Sequence, residues 1–79
     1  MSDAATPDPA FLADLAQAKM PFGKYSGRYL TDLPEAYLCW FQRQGWPRGK
    51  LGEQLAAMLE IKMNGLEPLV REVRKVLES

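Results

Sequence analysis

Hydrophobic positions along this chain recur mainly at helical spacing. Asp8 followed by Pro9 reads as a helix cap with proline at the first helical position, and Phe11, Leu12, Leu15 and Ala16 follow at intervals of three and four. The pattern predicts a helix over about 9–19, stopped by Pro21. Thr31 or Asp32 caps a second helix over about 32–44, with Pro34 and Glu35 in its first turn and Gly45 after its end. Leu33, Tyr37, Trp40 or Phe41, and Gln44 trace one face, which Leu38 widens, and Trp40 is expected to be buried against the next helix. Leu51, Leu55, Met58, Leu59 and Lys62 trace a third helix over about 50–63, closed by Asn64-Gly65. A fourth spans about 67–77, with Leu66, Leu69, Val70, Val73, Val76 and Leu77 on its apolar face.

One stretch breaks the helical pattern. Residues 22–25 and 28–30 flank Ser26-Gly27 and predict a short β-hairpin. Two registers are open. A two-residue turn pairs Tyr25 with Arg28. A three-residue loop with Gly27 left-handed pairs Lys24 with Arg28 and Phe22 with Leu30. In the second register two cations sit side by side, a repulsion that an anion would relieve. A lone hairpin is marginal in water, so it must pack on the helices. The expected fold is α+β: a small helix-dominated domain, with one hairpin laid on three or four helices. Residues 1–7 are read as a flexible tail and residues 8–79 as the domain.

Composition narrows the function. Seventy-nine residues make one domain, and no apolar run reaches the ~20 residues of a membrane helix. A single cysteine and an acidic start without a basic-then-apolar run predict a cytoplasmic protein. The absence of histidine removes the commonest general base and metal ligand. Cys39 lies in an apolar run without a histidine partner and is expected to be an inert buried thiol. The acids converge on no pocket. A non-enzymatic protein with no catalytic residue, cofactor or metal is the expectation.

Net charge is zero, yet residues 19–50 carry six bases against Asp32 and Glu35 and seven of the eight aromatic rings. Residues 45–51, GWPRGKL, are one residue short of a phosphate-binding loop and put Leu51 where Ser or Thr is needed. Arg48, Gly49 and Lys50 still precede a helix whose first N–H groups attract anions. Single-stranded nucleic acid stacks its bases on aromatic rings while Lys and Arg hold its phosphates. The candidate surface for nucleic acid or another polyanion is therefore Lys24, Tyr25, Arg28, Trp46, Arg48 and Lys50. Tyr25, Tyr29 and Trp46 serve either as core or as contact surface. The alternative is a protein-interaction or dimerisation module using the apolar faces of the last two helices, with Met58 and Met63.

The segments Met20-Pro21-Phe22-Gly23-Lys24-Tyr25-Ser26-Gly27-Arg28, Leu33-Pro34, Tyr37-Leu38, Trp40-Phe41, Gly45-Trp46-Pro47, Gly49-Lys50-Leu51-Gly52, Leu59-Glu60-Ile61-Lys62 and Asn64-Gly65-Leu66 carry a resemblance. Over about residues 19–71 the chain resembles a family of short uncharacterised bacterial proteins described as "putative quorum-sensing-regulated virulence factors". That description implies regulation but no reaction and no ligand. Over about residues 21–41 the chain is also similar to short modules attached to some exonucleases and other nucleic-acid enzymes. This second likeness implies nucleic-acid binding by analogy.

Overall fold

The computed structural model describes residues 8–79; the expected tail, residues 1–7, lies outside them. Helix α1 spans Pro9–Gln17 and begins as its sequence dictates, with the Asp8 carboxylate accepting from Ala10 N–H at 3.0 Å. A 3-10 turn at Leu30–Asp32 precedes α2 at Glu35–Gln44. Helix α3 spans Lys50–Met63 and α4 spans Glu67–Glu78. Among the described residues there is no strand or sheet, so the fold is all-helical and the α+β expectation is corrected. No described helix is long and apolar enough to cross a membrane.

The hairpin does not form, in either register. Glycines 23 and 27 adopt φ of 79° and 87° and curl residues 23–28 into two successive turns, with Ser26 N–H on Gly23 C=O and Arg28 N–H on Tyr25 C=O. Pro21 has no N–H to give a ladder. Backbone pairing occurs further out instead. Met20 N–H donates to Arg28 C=O at 2.8 Å, Gly27 N–H to Met20 C=O at 2.8 Å, and Leu30 N–H to Ala18 C=O at 3.0 Å. They surround a single antiparallel bridge, Lys19 with Tyr29. This pairing also explains why α1 stops at Gln17: Ala18 must be extended to reach Leu30.

Helix α2 starts three residues later than its pattern predicts. Leu33 precedes proline and is extended at φ −73°, ψ 140°, as the proline ring requires. Helix α3 ends in a Schellman motif, with Leu66 N–H on Ile61 C=O, Gly65 N–H on Lys62 C=O, and Gly65 left-handed. Helix α1 packs on α4, and α2 on α3, with the 3-10 turn set against α1, α3 and α4. Leu15, Met20, Leu30, Leu33, Leu38, Leu55, Met58 and Leu59 fill the centre.

Candidate functional site

The expected polyanion surface is only partly assembled. Lys24 Nζ and the Arg28 guanidinium lie 5.5 and 5.9 Å from the centre of the Tyr25 ring. Tyr25 in turn packs edge-on against Tyr37, Tyr37 against Phe41, and Phe41 stacks with Trp46. This ribbon joins the residue 21–28 loop to the residue 45–49 loop, and most of its rings are partly buried against the core. Lys50 points elsewhere: it pairs with Asp14 of α1 at 2.8 Å, with both side chains exposed. Arg48 is exposed. Trp40 is 46% exposed, contrary to its expected burial, and Cys39 is half-buried.

A denser polar cluster forms where sequence pattern offered no signal. Residues 67, 71, 74 and 78 share one stripe of α4. That stripe faces the 3-10 turn. The Thr31 carbonyl accepts from Lys62 Nζ at 2.7 Å and from Arg71 Nη2 at 3.1 Å. Arg74 Nη1 donates to Thr31 Oγ1 at 3.3 Å, and Arg71 pairs with Asp32 at 3.2 Å. Glu67 pairs with both Lys62 and Arg71. The Arg74 guanidinium lies 3.9 Å from the Tyr29 ring centre, and Tyr29 O–H donates to Glu78 Oε1 at 3.0 Å. The contacts to Thr31 are partly buried and charge-assisted, the kind that fixes geometry because leaving one partner unpaired is expensive, whereas those of Asp32 and Glu78 are exposed.

The bond to Glu78 raises the Tyr29 pKa above the ordinary tyrosine value, aided by desolvation and by the Glu78 charge, with Arg74 opposing. A raised phenol pKa means that folding favours the protonated form. This contribution to stability is whole below the ordinary value of about 10 and is lost as pH rises through the folded value. Glu78→Gln should therefore lower the Tyr29 ionisation toward about 10. NMR titration of the ring signals of the three tyrosines checks this.

The cluster sets the rotation of α4, and that rotation turns the apolar stripe outward. Of the six apolar residues on this helix face, only Val70 is buried. Leu66, Leu69, Val73, Val76 and Leu77 are 38–67% exposed. Between α1, α3 and α4 runs a groove of about 350 Å³ whose floor includes Phe11, Leu12, Leu15 and Ile61. An adjoining depression continues it along α4 past Val76 and Leu77. Met63 is exposed but lines neither, and Met58 is wholly buried and belongs to the core. The α1 wall of the groove was absent from the sequence reading. Its signal was available: Phe11 and Leu12 continue the apolar side of α1 beyond Leu15 and Ala16, which alone are buried in that helix.

Comparison with known proteins places the chain. No solved structure matches it. It is 51% identical over 67 residues to the uncharacterized protein YpeB of Escherichia coli K12, covering 84% of this chain and 93% of that protein. The YpeB of Escherichia coli O157:H7 matches to the same extent. The family model described as "Putative quorum-sensing-regulated virulence factor" matches residues 8–73, from the cap of α1 into the middle of α4, and the chain belongs to that family.

Proposed function

We propose that this protein is an interaction module that docks an amphipathic helix on the outward face of α4. One observation carries the reading: α4 turns its charged stripe inward and leaves a contiguous row of five large apolar side chains in solvent. A helix fixed only by hydrophobic burial would rotate the other way. Extended apolar patches on small soluble domains mark partner surfaces. The spacing of Leu66, Leu69, Val73 and Val76, three then four then three, is that of a helix–helix seam. A helix laid into such a groove is a recurrent recognition mode.

The test uses a designed helical peptide with leucines at seam spacing. Leu69→Asp with Val76→Asp should abolish its binding, measured by fluorescence anisotropy. The same pair should change the urea midpoint little, because both side chains are more than 60% exposed and each substitution should cost no more than about 0.5 kcal/mol. Unchanged binding by the variant would refute the docking reading.

Polyanion binding is a second reading, favoured by Lys24 and Arg28. Both flank Tyr25, and neither pairs with a carboxylate among the described residues. Against it stand the occupied Tyr25 ring and the pairing of Lys50 with Asp14. Lys24→Glu with Arg28→Glu should leave the fold nearly intact. If nucleic acid binds here, the variant should lose oligonucleotide affinity, and each lost phosphate contact should flatten the log-salt slope by about 0.7–0.9. Equal affinity in the variant would end this reading.

A further inference from the structure

We infer that the helix seated in the α1–α4 groove is flanked by lysine or arginine and belongs to another polypeptide, not to a second copy of this chain. The inference rests on the docking reading above. Glu60 and Glu72 are the charged residues that line the groove and its adjoining depression, both are exposed, and no lysine or arginine lines either.

Three of the nearby cations are turned away from that rim. Arg71 and Arg74 are turned to Thr31 and Asp32, and Lys62 is held by Thr31 and Glu67. Lys75 stands beside Glu72, three positions on along α4, but the two form no ion pair among the described residues. The groove is thus apolar with an acidic edge, on a molecule of zero net charge.

That edge discriminates between occupants. A symmetric pair presents the same patch from both sides, so a lining with two glutamates and no base would face another of the same kind. Like charges placed opposite one another across an interface penalise the wrong partner. A foreign helix with apolar anchors at seam spacing fills the groove, and basic flanks place opposite charge on the rim, as residues beside a seam set partner choice in paired helices.

Two designed peptides of about 16 residues, identical at the seam and flanked by either lysine or glutamate, distinguish the outcomes with the full chain. At low salt the lysine-flanked peptide should bind at least about fivefold tighter, a preference that narrows as salt screens the rim. Glu60→Lys with Glu72→Lys should reverse the preference. Sedimentation should find a monomer. Equal affinity for both peptides, lost in the Leu69→Asp, Val76→Asp variant, would overturn this inference and leave the docking reading standing. Self-association abolished by that same variant would make a second copy the occupant, and also overturn it. Binding of neither peptide would overturn both.

Discussion

Gly52→Ala should destabilise this domain by about 3 kcal/mol, at the upper end of what forced overpacking costs. The residue 45–49 loop doubles back onto the first turn of α3. A Cβ at position 52 would lie 1.8 Å from the Pro47 carbonyl oxygen and 2.9 Å from its carbon. These are backbone atoms, so no side chain can rotate away. Either the loop leaves the helix, taking Trp46 from its stack on Phe41, or the helix start distorts. Gly45→Ala isolates the other kind of glycine effect. Its φ is 106° and a Cβ there meets open space, so its cost is backbone strain alone, about 1–3 kcal/mol. Urea unfolding of the two variants should rank Gly52→Ala as the worse.

Leu55→Ala should cost a comparable 2–5 kcal/mol, the range for emptying a packed leucine site. Leu55 is wholly inaccessible among the core residues contributed by all four helices. Trp40→Ala should cost only about 1 kcal/mol despite removing a much larger side chain. Its ring lies on the surface, parallel to Tyr37 at 6.3 Å and edge-on to Phe41 at 5.1 Å. The order of these two costs, read from urea midpoints, separates the packing described here from one in which the tryptophan anchors α2. A larger loss at Trp40 than at Leu55 would contradict it.

The reversal at Trp40 shows where local pattern stops being informative. Helix α2 carries apolar side chains over more than one face, and spacing alone does not say which face meets α3. Leu38 is the one residue of α2 that is fully buried. Trp40, two positions on, is carried about 200° round the helix and so outward. Where apolar residues kept to one narrow stripe, as in α3, both bounds and buried face were legible from the chain. Both bounds of α3 coincide with the periodic run from Lys50 to Met63. The α1 start and the Asn64-Gly65 stop were equally legible, since caps act over a few residues.

The loop and the site were less legible for a different reason. Tyr25, Tyr29 and Leu30 favour strands, and Ser26-Gly27 favours a turn between them. Glycines four apart allow a tighter path, and that path wins because it lets Ala18, Met20, Arg28 and Leu30 satisfy one another's backbone groups. At α4 the apolar stripe was legible but its exposure was not. Its direction goes with contacts between residues 40 and 43 apart in sequence, from Thr31 to Arg71 and to Arg74. Helical periodicity contains none of that information. Of the six residues expected to hold a polyanion, Lys50 is drawn toward the distant Asp14, a pairing that local sequence pattern does not show.

Methyl-resolved NMR of the full chain, titrated with the lysine-flanked peptide, tests the outward face of α4 most directly. Shifts should concentrate on Leu66, Leu69, Val73 and Val76 of α4, with Leu12 and Ile61 of the groove, and leave Leu38 unmoved. Shifts centred instead on α2 and the residue 21–28 loop, with the α4 methyls silent, would contradict the account.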